Sequence, residues 1–121
     1  MIACIDSDVL IDYFDGILAS AEELGRYDKL LISRISWMEV LVGARTVEQR
    51  EVRENFLRTF KLVELDVAVA RRAITLRQEH RLRLPDAIVW ASALVHRALL
   101  ISRNTKDFPP NHPGVRVPYV L

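Results

Sequence analysis

The chain has 121 residues, with 17 basic and 16 acidic side chains and a formal net charge of +1. This length fits one compact domain, which we place over residues 1–121, and the near-neutral charge gives no compositional indication of a nucleic-acid binder. Half of the residues are apolar and 27% are charged, a composition that excludes intrinsic disorder.

The start of the chain predicts a soluble, cytoplasmic protein. Cys4 is the single cysteine and lies in an apolar run, which is typical of a buried thiol in a reducing compartment. The first residues have neither the basic start nor the cleavage site of a secretory signal. No apolar stretch approaches the roughly 20 residues of a membrane-spanning helix, so we expect no membrane partner.

In chain order, the first predicted element is a buried strand at residues 1–5, which are apolar and too few for a helix. Two short helices are predicted next, at 9–14 and 19–24, each closed by a glycine. The apolar run at 29–33 predicts a second strand.

Two further helices are predicted from their N-terminal caps. Ser36, with Glu39 three residues later, has the spacing of a capping box, so a helix is expected from Ser36 to about residue 44. Thr46 is predicted to cap a helix of about fourteen residues. The apolar stripe of this second helix consists of Val52, Phe56, Leu57 and Phe60.

The second half of the chain continues the alternation of strands and helices. Its predicted elements are a weak strand at 62–65, a helix from Asp66 to about residue 83, a helix with Pro85 in its first turn to about residue 97, a buried strand at 98–102, and an extended piece at 115–117. Such alternation predicts an α/β fold in which a mostly parallel sheet of about five strands is covered by helices on both faces.

Four acidic residues break an apolar context or follow a predicted strand: Asp6, Glu39, Asp86 and Asp107. In an open parallel sheet, ligands bind beyond the carboxyl ends of the strands. Asp6 ends the first predicted strand and Asp107 follows the fourth, so both are expected at that edge. Glu39 shares a helical face with apolar residues, where an unpaired carboxylate is costly.

Each of these residues also has a purely structural interpretation. Asp6 suits the N-cap of the helix that follows it, and Glu39 suits the capping box with Ser36. Asp86 suits the first turn of an apolar helix, where a negative charge interacts favourably with the helix dipole. Asp107 fits an ordinary loop aspartate. Taken singly, none of the four distinguishes a site from a cap or a loop.

Together, the four carboxylates favour a cation site. Three or four carboxylates in one cleft repel each other and raise each other's pKa unless a cation neutralises them. Hard oxygen ligands suit Mg²⁺ or Mn²⁺. The three histidines, at positions 80, 96 and 112, have no metal-ligand spacing that would indicate zinc.

Four segments, in this order along the chain, resemble the PIN-domain ribonucleases, in particular the VapC-type toxins of toxin–antitoxin pairs. They are IDSDVLIDYF at 5–14, SWMEVLVGA at 36–44, LPDAIVWASAL at 84–94 and LLISRNTKDF at 99–108. The third and fourth segments are the most specific in combination. The resemblance spans essentially the whole chain, although residues 45–83 match only in their helical character.

The resemblance implies a three-layer α/β/α PIN-like fold and a role for each matching position. The family's four acidic catalytic and metal-site positions are occupied by Asp6, Glu39, Asp86 and Asp107. The polar positions beside that site are occupied by Ser7, Asp8, Ser102 and Asn104. Many relatives carry asparagine where this chain has Asp8, and the additional carboxylate is a departure that bears on metal affinity.

The activity implied by the resemblance is hydrolysis of RNA phosphodiester bonds with Mg²⁺ or Mn²⁺ as cofactor. Asp6 and Asp86 would hold the ion most directly, with Glu39 and Asp107 completing its shell partly through water. A bound ion lowers the pKa of its water and stabilises charge on the phosphate. Glu39 is a candidate for helping to deprotonate that water. The expected products carry a 5′-phosphate and a 3′-hydroxyl.

The resemblance also implies two protein partners: a second copy of the chain in a homodimer, and a VapB-like antitoxin. The antitoxin would dock on the apolar stripe of the Thr46-capped helix together with Trp37 and Leu41, and would send a basic side chain toward the acidic cleft. For any one residue of that stripe, core packing is the competing interpretation.

Two other functions are consistent with parts of the sequence. The Asp6-Ser7-Asp8-Val9 segment also resembles the start of haloacid-dehalogenase-like phosphohydrolases, in which Asp6 would be the nucleophile and Asp8 the acid/base. The chain is short for that fold with its cap, and this alternative does not explain the segment around Asp86. The second alternative is a catalytically silent PIN module that binds RNA or protein.

Overall fold

Strands and helices alternate along the chain, and the computed structural model describes residues 1–121. The strands are Ile2–Ile5 (β1), Lys29–Ser33 (β2), Lys61–Val63 (β3), Leu99–Ile101 (β4) and Val115–Arg116 (β5). The helices are Ser7–Phe14 (α1), Leu18–Leu24 (α2), Arg34–Val42 (α3), Val47–Leu57 (α4), Val67–His80 (α5) and Leu84–Val95 (α6).

All five strands pair in parallel, in the order β3-β2-β1-β4-β5. The chain winds from β1 through β2 to β3 on one side, and places β4 and β5 on the other side. The order therefore reverses between β1 and β4, at the type of position where open α/β sheets bind ligands. Ile5 and Ile101 are partners in register across this junction, so Asp6 and Ser102 leave the sheet side by side.

The core lies on both faces of the sheet, because successive residues of a strand point to opposite sides. On β1, Ala3 and Ile5 belong to the cluster that packs under α1 and α3, whereas Cys4 belongs to the cluster under α5 and α6. This three-layer arrangement confirms the predicted α/β fold, and the sheet is parallel throughout.

Helix α6 is buried on almost every side, from Ala87 to Ala93. Its alanines allow the helix to approach the sheet closely, and Trp90 fills the space toward the C-terminal segment. The Trp90 ring is fully buried and meets Phe108 edge to face, with ring centroids 6.2 Å apart. Because α6 is packed into the core along most of its length, its first turn, which contains Asp86, is fixed close to the carboxyl edge of the sheet. No helix of the chain is both long enough and apolar enough to span a membrane.

The predicted start of α3 was wrong, and with it the capping box. Ser33, not Ser36, is the N-cap, and its hydroxyl accepts a hydrogen bond from the Ser36 backbone N–H at 3.0 Å. Both serines suit a cap, and the end of β2 at Ser33 decides between them, because extended backbone there (ψ 155°) leaves Arg34 as the first helical residue. Glu39 consequently has no capping role.

Two predicted helix ends were also too late. Helix α4 stops at Leu57, giving eleven residues where about fourteen were expected. Helix α5 stops at His80, because Arg81 adopts the left-handed conformation with φ 54°. The turn lets Leu82 insert into the core, where it is 2% exposed. A buried leucine after the turn is what ends α5 before residue 83.

Candidate metal centre

Asp6 lies at the carboxyl end of β1 and combines its two predicted roles. As the N-cap of α1, its Oδ1 accepts a hydrogen bond from the Ser7 backbone N–H at 2.8 Å. Its Oδ2 accepts one from the Ser102 hydroxyl at 2.7 Å. Asp6 is only 8% exposed, and burial, with the neighbouring charges of Asp8 and Glu39, raises its pKa to about 7. The cap and the site therefore use different oxygens of one carboxylate.

Asp6 has no basic partner to offset this burial. None of the ion pairs in the structure includes it. A buried carboxylate is costly when it is ionised without a compensating charge, and two further carboxylates nearby increase that cost. The surroundings of Asp6 would thus be stabilised by a cation.

Glu39 reaches the same place from α3, where its Oε1 accepts a hydrogen bond from the Ser7 hydroxyl at 3.1 Å. The residue is exposed, and so are its helical neighbours Met38 (43%) and Val42 (84%). Glu39 shares a face with these apolar residues as predicted, but the expectation that the shared face makes its carboxylate costly was wrong, because the face is exposed. Because α3 has its buried face at Val40 and Leu41, the opposite side carries Glu39 into solvent beside Ser7.

Asp86 and Asp107 form the second acidic pair. Burial raises the pKa of Asp86 and the Asp107 carboxylate adds to the rise, while the Arg83 guanidinium opposes it. Arg83 places its Nε 3.2 Å from Asp86 Oδ2 and its Nη2 3.9 Å from Asp107 Oδ2. Asp107 is further oriented by Asn104, which donates from Nδ2 to Asp107 Oδ2 at 2.9 Å and accepts from the Asp107 backbone N–H at 3.1 Å.

The remaining polar residues connect the carboxylates to the backbone. Ser102 accepts a hydrogen bond from the Asn104 backbone N–H at 3.0 Å, which directs its own proton toward Asp6. Asp8 Oδ2 accepts from the Arg103 backbone N–H at 3.0 Å, whereas its Oδ1 is buried without a partner. Burial raises the pKa of Asp8 as well, although the Arg103 charge opposes it.

The structure thus brings the predicted site residues together in two groups. The first contains Asp6, Asp8 and Glu39 with Ser7, and the second contains Asp86 and Asp107 with Asn104; Ser102 is bonded to both groups. No three carboxylate, thiol or imidazole side chains are close enough to hold a metal ion as they stand. The donors suit a hard divalent cation in kind and charge, but they do not form a closed cage.

Sequence reasoning missed two arginines at this edge. Arg83 precedes Asp86 by three residues, and that helical spacing of opposite charges could have indicated the pair. Arg103 pairs with Asp12 across 91 positions of the chain, with Nε 2.6 Å from Asp12 Oδ2 and Nη2 2.8 Å from Oδ1. No local pattern could have indicated this second pair.

An open apolar groove runs between α1, α2 and α4. Tyr13 stacks on Phe56 with ring centroids 4.4 Å apart, Phe14 meets Phe56 edge to face, and Val52 is 62% exposed. The groove is lined by Tyr13, Phe14, Gly16, Ile17, Leu18, Ala21, Val52 and Phe56.

Only part of the predicted docking stripe is available to a partner. Leu57 and Phe60 are buried in the core, as is Leu41, so including these three in a docking surface was wrong. They turn inward because α4 and the turn after it pack against the sheet. Trp37 is partly buried and carries the Arg34 guanidinium over its ring.

Comparison with known proteins agrees with this architecture. A model of the PIN domain family matches residues 3–109. Ribonuclease VapC10 of Mycobacterium tuberculosis is 34% identical over 113 residues, covering 87% of this chain and 84% of the relative. A chain of a toxin–antitoxin complex from Klebsiella pneumoniae is 42% identical, with a TM-score of 0.92 over 98% of this chain and 99% of that one.

A more distant structure extends the likeness in fold alone. It is VapBC2 from Rickettsia felis bound to a promoter DNA fragment, in which the matching chain is 19% identical with a TM-score of 0.74 and 96% of each chain covered. The five-stranded parallel sheet, the acidic residues at its carboxyl edge and the family match over most of the length lead to one conclusion. The chain belongs to the PIN-domain family.

Proposed function

We propose that this protein is a divalent-metal-dependent ribonuclease of the VapC type, which hydrolyses RNA and is inhibited by a cognate VapB-like antitoxin. The observation that carries the proposal is Asp6, a carboxylate buried at the junction of β1 and β4 with no basic partner. The ribonuclease named among its relatives is aligned over most of the chain. Dependence on a divalent metal is typical of this family.

We assign the roles of the acidic residues from how deeply each side chain is buried. Asp6 and Asp86, whose pKa values are raised by burial, would hold Mg²⁺ or Mn²⁺ most directly. When bound, such an ion supplies electrostatic stabilisation of the phosphate and a water of lowered pKa. Glu39 is exposed and bonded to Ser7, next to Asp6 in the chain, and in this proposal it accepts the proton of the attacking water. Asn104 fixes the orientation of Asp107 through two hydrogen bonds, and this carboxylate would help to complete the shell of the ion.

The haloacid-dehalogenase alternative finds no support in the comparisons, since the segment around Asp6 and Asp8 falls within the PIN-domain match. The catalytically silent alternative differs from the proposal only in activity. All four acidic positions are occupied, which favours an active enzyme over a silent module.

The antitoxin is proposed to occupy the groove between α1, α2 and α4. A chain 42% identical to this one belongs to a toxin–antitoxin complex, and the groove exposes apolar side chains that a helix would cover. Arg45, just before α4, and Arg53, within it, line a pocket that adjoins the groove, and both suit an acidic residue on that helix. The protein is further proposed to form a homodimer, which light scattering of the antitoxin-free protein would detect.

The test is RNA cleavage by purified, antitoxin-free protein. Wild type with Mg²⁺ or Mn²⁺ should cut structured RNA and leave 5′-phosphates, and chelation should stop cleavage. Asp6→Asn and Asp86→Asn should each reduce the rate by at least about 100-fold, since each removes a ligand of the ion that stabilises the phosphate charge.

Glu51→Gln is the matched control, because it removes one negative charge from an exposed residue of α4. This variant should cleave RNA as the wild type does. The proposal is falsified if folded wild-type protein leaves a diverse set of RNAs intact with both metals present, in which case the silent module is correct.

A further inference from the structure

A partly buried triad lies directly behind the candidate metal centre. Arg103 forms two hydrogen bonds to Asp12, at 2.6 and 2.8 Å, and the Tyr119 hydroxyl donates a third to Asp12 Oδ2 at 2.7 Å. Burial by itself raises the pKa of Asp12, but the bonds from Arg103 and Tyr119 lower it overall. We call Asp12, Arg103 and Tyr119 the C-terminal triad. None of these three residues is among the proposed ligands of the ion.

The C-terminal triad holds the segment that connects the two acidic groups. Arg103 is flanked by Ser102, which bonds to Asp6, and by Asn104, which bonds to Asp107. Its own backbone N–H bonds to Asp8. Residues 102–108 form neither a helix nor a strand, so side-chain contacts such as that of Arg103 determine the path of this segment.

The third member comes from the end of the chain. Tyr119 lies beyond β5, in a segment without regular structure, and reaches back to α1 through Asp12. Its bond holds the Asp12 carboxylate in the orientation that accepts both nitrogens of Arg103. A residue near the C-terminus is thereby connected, through two side chains, to the loop that carries Ser102 and Asn104.

We propose that the C-terminal triad is a positioning device that sets the affinity of the site for its divalent ion; this rests on the proposed function. The two acidic groups repel each other and do not form a cage by themselves. Holding the 102–108 segment in place keeps Ser102 bonded to Asp6 and Asn104 bonded to Asp107, so the two carboxylates keep their orientation when an ion binds. Loss of a group that orients a metal ligand typically weakens metal binding by about 10- to 100-fold, and Arg103 lies between the two residues, Ser102 and Asn104, that have this role here.

The sign of the effect distinguishes positioning from simple electrostatics. Arg103 is a positive charge near the site, so on charge alone its removal would strengthen cation binding. Positioning predicts the opposite result, because the loosened segment must be reordered when the ion binds. Arg103→Lys, which keeps the charge and loses the paired geometry, should also weaken binding.

The chain provides a matched control in a second triad of the same chemistry. Arg116 bonds to Glu23 at 2.7 and 3.1 Å, and the Tyr27 hydroxyl donates to the same carboxylate. This second triad is also partly buried, but no side chain in it bonds to a residue of the candidate metal centre. Tyr27→Phe therefore matches Tyr119→Phe in chemistry and differs in location.

The experiment is calorimetric titration of the metal-free full chain with Mn²⁺ alone. Arg103→Met should bind about tenfold more weakly than wild type. Tyr119→Phe should be weakened by a smaller but measurable factor, and it tests the proposal even if Arg103→Met does not fold. Tyr27→Phe should bind as the wild type does while its melting temperature falls as that of Tyr119→Phe does.

The possible results of the titration separate the positioning role from the metal site itself. Wild-type affinity or tighter binding in Tyr119→Phe and Arg103→Lys overturns the positioning role and leaves the proposed ribonuclease intact. Equal weakening by Tyr27→Phe also overturns it, because the effect would then be one of general stability. A wild type that binds no Mn²⁺ overturns the metal site itself and the positioning role with it.

Discussion

Arg83 pairs with two carboxylates of the candidate metal centre, for which a divalent ion would compete. Its guanidinium lies 3.2 Å from Asp86 and 3.9 Å from Asp107, yet its side chain is 77% exposed. An exposed ion pair of this kind contributes little stability, so Arg83 can leave at small cost. Once released, its guanidinium would remain at the mouth of the site, where it suits a phosphate of the RNA backbone.

At the residue scale, this geometry predicts that Arg83 competes with the ion. Arg83→Gln should raise the affinity for Mn²⁺ by about threefold, which corresponds to the modest energy of an exposed ion pair. Titration of the metal-free protein measures this directly. Arg81→Gln is the control, since Arg81 is exposed, lies two residues earlier and has no acidic partner. An equal gain in both variants would show that only the net charge matters.

At the scale of elements, one side of helix α4 packs in the core and the other side lines the groove. Helix α4 directs Leu57 inward, while Val52 and the edge of Phe56 remain in the groove. The spacing of apolar residues indicated an amphipathic helix correctly, but it could not tell which members face the sheet. That choice depends on how α4 is rotated against α1 and α3, which is a property of packing and not of periodicity.

The groove yields a prediction about the antitoxin. Val52→Asp places a charge in the apolar surface that a partner helix would bury, and should weaken binding of the cognate antitoxin at least about tenfold. Val67→Asp is the control, because Val67 is similarly exposed, at 66%, but lies at the start of α5 outside the groove. Both affinities are measured by titration. Unchanged binding of Val52→Asp would place the antitoxin elsewhere.

At the scale of the whole molecule, the near-neutral net charge combines an acidic site with a remainder that is net basic. If the four predicted metal ligands, Asp6, Glu39, Asp86 and Asp107, are set apart, the rest of the chain has 17 basic and 12 acidic residues, a net charge of +5. Neutralisation of RNA phosphates by such an exterior releases counterions and favours binding. The acidic pocket would repel the backbone until a cation fills it.

The same pocket makes the stability of the metal-free protein depend on pH. The pKa of Asp6 is raised to about 7 from its ordinary value of 3.8, so the folded state binds a proton between these values that the unfolded state releases. Stability therefore falls as the pH rises from about 4 to about 7. Each unit of pKa difference corresponds to roughly 1.4 kcal/mol of stability.

Asp6→Asn should remove this contribution, since asparagine keeps the cap to Ser7 and carries no charge. In urea titrations without metal, this variant should exceed the wild type in unfolding free energy by at least about 1 kcal/mol at pH 8. The difference should shrink toward pH 4, where the carboxyl of the folded wild type is protonated and therefore uncharged, as the asparagine is. Added Mg²⁺ should stabilise the wild type more than the variant. A difference that does not vary with pH would contradict the role assigned to Asp6.

Several features of this protein were determined by its sequence. The apolar run of β1 ending in Asp6, and Pro85 and Asp86 at the start of a long apolar helix, are local signals that predict the elements and the residues at their ends. Alternating strands and helices imply a parallel sheet, because connections between parallel strands require a crossover. The acidic residues then follow as candidates for its carboxyl edge.

The tertiary structure decided what depends on residues far apart in the chain. Ser33 rather than Ser36 caps α3 because β2 ends there, and Glu39 faces solvent because α3 buries its other side. The pairing of Asp12 with Arg103 and Tyr119 joins three distant segments, and no local pattern specifies it. Periodicity and capping act over a few residues, whereas burial and long-range ion pairs are set only when the layers of the fold pack together.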